Sequence, residues 1–534
     1  MNAAQRYGAR LTRKVRLLIL ANIVAGVWYF GWLLEPGRAG NPWLYGVLIV
    51  AELFNVVQAA GFWWTCSSQR VRPHVPVQGR HSVDVFIPTY NEPVAIVEET
   101  VAAAGRMVGA EIRVHLLDDG RRPEMAAMAA RHGAGYLTRA GNRGAKAGNI
   151  NAAMSCTDAE FIAIFDCDHV PDPTFCERTL GHLADEGIAF VQTPQYYGNA
   201  DQGEVPAAAW AQQALFFGPI LRGKDALGAT FCCGTNVVFR RTALEEQGGF
   251  PEDMVVEDFA LSIQLHERGW RSAYVDEVLA RGLAPTDMAS YVGQQQRWAR
   301  GCLAAAPMAL RARLPWRLKL QYLLSSAFFL SGWTVLVYMM LPAVSTATGA
   351  LPVNGATSDE FLFHFAPYWA LSLAIVAVVG LGSYTFAAFS LFSASFWIHV
   401  VASVQIATGH QGTFNVTPKT GSSSRQPRAV LPVLVAIAAL AACSVYGLVL
   451  DRSAGRINNV AFAVMHIAVL ASGARPALTG GRARTAASPA ATPGRPAGVG
   501  AGRSEAARLA TRAEREDRGR VIVGGRPGGR ARGR

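Results

Sequence analysis

Charge is scarce in this sequence. Asp, Glu, Lys and Arg make up 16% of its 534 residues, and 51% are hydrophobic. Soluble globular chains carry about 25% charged residues, so part of this one is expected to lie in lipid. Mean hydropathy of +0.19 agrees. Basic charge is scarcer still in the body of the chain. The stretch from Arg475 to Arg534 holds fourteen Arg and four acids, which accounts for +10 of the net +12. The remainder is nearly neutral, and a nucleic-acid groove in it is not indicated. Cysteine pairing is missing as well. Eight Cys at positions 66, 156, 167, 176, 232, 233, 302 and 443 form no CxxC. That argues against a zinc site and against a secreted disulfide framework, and reduced, mostly buried thiols on the cytosolic side are expected.

Long apolar runs are absent from the middle of the chain and frequent at its ends. Val15–Leu34 and Trp43–Trp63 are each about 20 residues, enough to cross a hydrocarbon core of about 30 Å. Basic residues Arg6, Arg10, Arg13, Lys14 and Arg16 flank the first run, and no small-residue cleavage site follows it. It reads as a signal anchor with a cytoplasmic N-terminus. Further spans are expected at Leu320–Val344, Phe361–Leu381, Ala429–Leu450 and Val460–Ala471. Ser383–Thr408 is apolar but carries five Ser, a His and a Gln. If it crossed, Lys419, Arg425 and Arg428 would face outside, against the positive-inside rule. Six spans and one interfacial helix (383–408) keep these cations and the Arg-rich tail inside. The organisation expected is therefore two helices and a linker over 1–80, a cytoplasmic domain over 81–310, and four spans over 311–475. The last region includes a loop at 409–428, and a disordered tail follows over 476–534. From Gly473 the Ala, Gly, Pro, Arg and Ser composition offers too few core formers to offset ordering entropy, with attraction to anionic lipid heads as the tail's expected property.

Between the apolar ends, short β-branched strands alternate with Ala-rich helices. Val83–Ile87, Ile112–Leu117 and Phe161–Phe165 read as strands, with Val94–Val108 and Glu124–His132 as helices between them. This alternation predicts a parallel sheet covered by helices. No GxGxxG follows the first strand, which argues against the common mode of dinucleotide binding. Three strands end in polar residues: DVFIPTYNEP brings Thr89, Asn91 and Glu92, LLDDG brings Asp118 and Asp119, and FDCDH brings Asp166 and Asp168. Carboxylates at i and i+2 point to one side of an extended chain, which suits a hard divalent cation that also binds phosphate oxygens. Any one of these sites is explained by helix capping. Convergence of all three on the carboxyl rim, where open α/β sheets bind ligands, favours a site.

Taken together, DVFIPTYNEP, LLDDG, AKAGNIN, FDCDH, QTPQYY, FCCGTN, VVED and QQQRW stand in the order and spacing of family-2 glycosyltransferases. The chain most resembles membrane-embedded cellulose synthase catalytic subunits, from about residue 10 to residue 472. The resemblance implies an α/β glycosyltransferase A-type, Rossmann-like cytoplasmic domain inserted in a helical transmembrane bundle. It further implies that Asp118 or Asp119 binds the uridine, with Thr89 and Glu92 against the base. Asp166 and Asp168 would hold Mg²⁺ or Mn²⁺ and the diphosphate, with Lys146 adding charge although Gly144 replaces the family's frequent His. Cys233 and Gly234 would line the acceptor site, where Cys232 replaces an aromatic. In Glu257-Asp258, preceded by Val256 in place of Thr, Asp258 would be the general base, and Asp118 joins it in the catalytic set. Gln294, Arg297 and Trp298 would bridge the diphosphate and stack the terminal sugar. Phe414, Val416, Thr417 and Lys419 match the FxVTxK gating loop. Bacterial cellulose synthases usually carry a PilZ barrel after the last span, whereas only about 60 low-complexity residues follow here. No direct cyclic di-GMP domain is therefore expected.

The function this implies is processive, inverting polymerisation of a β-glycan from a UDP-sugar, cellulose-like from UDP-glucose, with translocation across an inner or plasma membrane. Its partners would be the UDP-sugar donor, the growing glycan acceptor and the lipid bilayer, and an accessory extracytoplasmic subunit is compatible with it. Competing readings are a hyaluronan-, chitin- or mannan-type synthase, and a non-processive transferase acting on a lipid carrier. A non-catalytic pore would require loss of Asp166, Asp168 or Asp258, and all three are present.

Overall fold

The computed structural model of the protein describes residues 3–409 and 425–480. Its centre is a seven-stranded sheet. The strands are β1 (Ser82–Thr89), β2 (Glu111–Asp118), β3 (Gly135–Leu137), β4 (Phe161–Ile164), β5 (Val170–Pro171), β6 (Ile188–Gln192), β7 (Tyr196–Tyr197), β8 (Val237–Arg240), β9 (Arg271–Tyr274) and β10 (Ala280–Gly282). The main sheet runs β3-β2-β1-β4-β8-β6-β9, and β5, β10 and β7 form a small second sheet. Strand β1 is buried on both faces. Val83, Val85 and Ile87 pack on the helices Val94–Ala104 and Pro123–Arg131, and Phe86 packs on Ala147 and Ile150 of the helix Ala145–Met154 on the other side. Two helical layers around one sheet follow from a central strand buried at every position from Val83 to Ile87.

The sheet is mixed, where the alternation predicted it parallel. β8 pairs antiparallel with both β4 and β6, and β6–β9 is parallel. The reason lies in the turn before β8. Thr235 Oγ1 accepts a hydrogen bond from Asp166 N at 2.8 Å, so FCCGTN sits on the carboxyl rim beside the end of β4, and the strand that leaves it must run back down the sheet.

Seven helical segments among the described residues are long and apolar enough to cross a membrane: Arg13–Leu33, Pro42–Cys66, Trp316–Thr348, Ser358–Val379, Phe386–Ala407, Pro427–Leu450 and Ala454–Thr479. Leu17, Leu20, Val24, Val27 and Trp28 of the first are half or more exposed. An outward face so apolar requires lipid. By length the segment expected at 383–408 as a lone interfacial helix is a seventh candidate span. It differs from the others in form: Ser395 separates Phe386–Ala394 from Phe396–Ala407, and 56% of its apolar window is buried, against 11–33% elsewhere. It packs against the helix Met288–Arg311 and against Ser331–Thr348, beneath the sheet domain. The last helix also runs further than expected. It continues through Thr479, because Leu470, Ala474 and Ala477 are buried and Arg475 pairs with Glu204 at 2.8 Å. The remainder of the tail and the loop motif at 414–419 lie outside the described residues.

The sheet domain is fastened to the spans through a buried lysine. Lys224 Nζ donates to Gln321 Oε1 at 3.0 Å and Ser325 Oγ at 2.9 Å, and Gln321 Nε2 donates to Thr65 Oγ1 at 2.9 Å. Burial pushes the Lys224 ammonium down to about 7.

Candidate active site

Strands β2, β1 and β4 are neighbours and parallel, so the segments that follow them share one rim. On β1's side, Thr89 Oγ1 donates to Glu92 Oε2 at 2.7 Å, and Tyr90 N donates to the same oxygen at 2.8 Å. Arg122 ties this turn to the next by donating to Thr89 Oγ1 at 3.0 Å and to Glu92 O at 2.6 Å. Asp118 is fully buried. Its Oδ1 accepts from Gly120 N and Arg122 Nη2, and its Oδ2 from Arg122 N and Tyr136 Oη, all within 3.1 Å. Four donors occupy the acceptor positions of one carboxylate. Asp118 therefore holds the LLDDG turn in place. Burial, with Asp118 alongside, pushes the Tyr136 hydroxyl up to about 12. Asp119 meets Arg139 in a two-point pair at 2.7 and 2.8 Å, and Arg139 also donates to Ala145 O at 2.8 Å. The GAKAGN loop is thereby bound to the LLDDG turn.

Gly144 opens the helix Ala145–Met154 with φ +69°, and a Cβ there would stand 2.7 Å from Glu252 Oε2. A side chain there would require Glu252 to shift and would strain the left-handed backbone. Two residues on, Lys146 Nζ donates to Asp166 Oδ1 at 2.5 Å and to Gly234 O at 2.7 Å. Burial works against the ammonium, yet Asp166, Glu257 and Asp258 together hold it above the usual lysine range. Burial likewise opposes ionisation of Asp166, and Lys146 outweighs it, so the carboxyl lies below its ordinary value. Asp168 is buried, and His169 Nδ1 lies 3.4 Å from its Oδ1. Asp166, Asp168 and His169 each bring a ligand atom to within 4.8 Å of the others, and the buried His169 Nε2 has no hydrogen-bond partner. Two carboxylates and an imidazole fit a divalent cation of the Mg²⁺ or Mn²⁺ kind.

Across from this cluster stands the FCCGTN turn. Cys233 N donates to Gln192 Oε1, and Cys233 O accepts from Gln195 Nε2, both at 2.8 Å. Gly234 has φ +80°, and a Cβ on it would meet Asp258 Oδ2 at 2.9 Å and Lys146 Nζ at 3.6 Å. Only glycine leaves room for the two functional groups on either side. Asp258 lies in the first turn of the helix Glu257–Glu267, where its Oδ1 accepts from Phe259 N at 2.7 Å. Burial first, and Glu257 second, raise its carboxyl to about 7, against the pull of Lys146. A carboxyl in that range can accept a proton near neutral pH.

Gln294, Arg297 and Trp298 lie on the helix Met288–Arg311, capped by Asp287, whose carboxylate accepts from Ser290 N at 2.9 Å. All three are half-buried. Trp298 packs with Ala299, Phe329 and Ala402, so the indole stands where the sheet domain meets two of the membrane-region segments.

The structure thus joins Thr89, Glu92, Asp118 and Asp119 in one linked network, and Lys146, Asp166, Gly234 and Asp258 in a second. Arg122, Tyr136 and Arg139, which hold the first together, were not visible as site residues. Arg139 arrives just after β3 with no local motif to mark it. Gln192 and Gln195 lay inside QTPQYY without an assigned role. His169 was present in FDCDH, and its imidazole was the signal.

A rim of this kind, with two acids and an imidazole at the end of β4 and a buried acid opposite, defines a glycosyltransferase of the A-type fold. Comparisons with known proteins agree. Residues 161–402 match the model of glycosyl transferase family group 2. The chain is 33% identical over 433 residues to Cellulose synthase 1 of Komagataeibacter xylinus, a match covering 76% of this chain and 28% of that protein. It is 45% identical over 231 residues to the UDP-forming cellulose synthase catalytic subunit of Xanthomonas axonopodis pv. citri (strain 306), covering 41% and 31%. To the UDP-forming Cellulose synthase 1 catalytic subunit of K. xylinus it is 31% identical over 451 residues, covering 78% and 59%. These matches span 28–59% of the length of those relatives. Among solved structures, the mannosyltransferase PcManGT from Pyrobaculum calidifontis, in complex with GDP-Man and Mn²⁺, shares the fold. It has a TM-score of 0.52 and 18% identity, covering 69% of this chain and all of that one. Residues 161–402 thus belong to the family-2 glycosyltransferases, and the chain as a whole is similar to cellulose synthases and carries the helices of a multi-pass membrane protein.

Proposed function

We propose that the protein polymerises a β-glycan from a UDP-sugar, by inverting transfer, and passes the product through its own membrane helices. The observation that carries this reading is the placement of Asp258. Its carboxyl, raised to about 7, faces Gly234 across from Lys146 and the Asp166 cluster, so one group is poised to take a proton while another side neutralises a leaving diphosphate. A sugar hydroxyl is a poor nucleophile at neutral pH, and a positioned base contributes typically about 10²–10⁴-fold. Asp166, Asp168 and His169 would hold a divalent cation, which when bound supplies charge stabilisation at the diphosphate. Lys146 adds a fixed positive charge there, and the Arg297 guanidinium a second. Thr89, Glu92 and the Asp119–Arg139 pair frame the nucleoside side. Gln294, Trp298, Cys233, Gly234 and Glu257 border the acceptor. UDP-glucose is the favoured donor, because the relatives with 31–45% identity are cellulose synthases. The protein is assigned to an inner membrane with the sheet domain and both termini in the cytoplasm. The 383–408 segment would lie at the interface, and Phe414, Val416, Thr417 and Lys419, outside the described residues, would serve the nucleotide side of the site.

The test is incorporation of radiolabel from single UDP-sugars by protein in liposomes, followed by digestion with linkage-specific hydrolases. Label from UDP-glucose released by a β-1,4-glucanase is expected, abolished by EDTA and restored by Mg²⁺ or Mn²⁺. Polymer formed at an unchanged rate in chelator would remove the metal from the account.

A further inference from the structure

The helix that carries QQQRW has a glycine in its interior. Gly301 is buried and lies three residues after Trp298 and four after Arg297. A Cβ on it would stand 1.5 Å from Val256 Cγ2, 2.8 Å from Val256 Cβ and 3.3 Å from Val256 N. The valine methyl therefore fills the volume in which any other residue would carry its β-carbon. Val256 is the residue before Glu257-Asp258 and caps their helix without a side-chain hydrogen bond. Its side chain packs with Phe259, Ala305 and Ala309, so the turn that presents Asp258 is seated on the acceptor helix at this point. Glycine in a helix interior is unfavourable relative to alanine. The close approach of Val256 supplies the reason for it here.

We propose that Gly301 is a positioning residue for the transfer step: by seating Val256, it sets the separation between the Asp258 carboxylate and the Arg297–Trp298 face. This rests on the function proposed above. The seat couples two groups that come from different layers of the domain, and rotation about χ1 offers little escape. Valine fills two of its three staggered positions, and its Cβ itself is too close.

The full chain in liposomes provides the test. Gly301→Ala is expected to lower turnover on the order of 10²-fold, with the KM for the UDP-sugar little changed, because the nucleoside network is remote from the contact. Adding Val256→Ala removes the atom at 1.5 Å, so the cost of Gly301→Ala, taken relative to Val256→Ala alone, should shrink by about tenfold. A change that merely disturbed the helix would give the same loss in both backgrounds. That equality, or turnover of Gly301→Ala within about twofold of wild type, would overturn the proposal. Thermal unfolding of the purified chain gives a readout independent of catalysis. At an open helix position Gly→Ala raises Tm, whereas here Tm should fall and partly recover with Val256→Ala, which removes the methyl at 1.5 Å and keeps the Cβ at 2.8 Å. A wild-type chain that transfers no sugar would tell against the proposed function alone, while a raised Tm for Gly301→Ala would sink the seat whatever the activity.

Discussion

Burial and the neighbouring Glu257 carry the Asp258 carboxyl to about 7, so a large share of it is protonated in neutral solution. The competent form of a base is the carboxylate. Turnover should therefore climb with pH through about 7 and level off above it. Glu257→Gln removes the second cause of the shift, and the acid limb should move to lower pH, whatever happens to the plateau. A limb that stays in place would mean that another group controls it. Asp258→Asn should lower turnover by roughly 10² or more while UDP-sugar binding persists. At this scale the sequence was informative about which groups face the chemistry and much less about what holds them. Asp166, Asp168, Lys146 and Asp258 stood inside motifs of several residues. Asp118 stood in one too, yet its carboxylate is consumed by Arg122 and Tyr136, and a linear sequence does not show whether an acid's partners are a substrate or its own fold.

Elements were legible where their pattern is local. The strands around Val85, Val114 and Ile162 announced themselves by β-branched runs, and their parallel direction by alternation with helices. The reversal of β8 was not legible, because its direction is decided by a contact between Thr235 and Asp166 some 69 positions apart in the chain. The Lys224 junction was hidden for the same reason, since Thr65, Lys224 and Gln321 come from three distant elements. Its energetics lead to a measurable sign. Unfolded, Lys224 titrates near 10.5, while in the fold it titrates near 7. The unfolded chain thus binds more protons between these values, and stability from this group rises with pH across that window and is flat below it. The Tm of the purified chain should increase between pH 7 and 9, and Lys224→Met should flatten that slope without lowering Tm at pH 7, as a buried cation with uncharged partners contributes little net stability. An unchanged slope in the variant would show that the lysine stays charged in the fold.

For the whole molecule, composition already separated a membrane region from a domain rich in strand–helix alternation. What it left open was the 386–407 segment, whose length suits a span and whose burial under the QQQRW helix suits a different place. That segment, Phe329 and Trp298 meet at one point, which is where a product leaving the acceptor site enters the membrane region on the proposed reading. A chain held at Trp298 need only slide to be extended again, while a new one must be threaded, so products should be long. Reconstituted liposomes with the sheet domain outward measure this directly. With UDP-glucose supplied outside, the account predicts a long polymer that a glucanase reaches only from the lumen, and its near-complete loss in Trp298→Ala with donor binding retained. Label recovered as a single sugar on an organic-soluble lipid, or as polymer fully open to glucanase added outside, would contradict it.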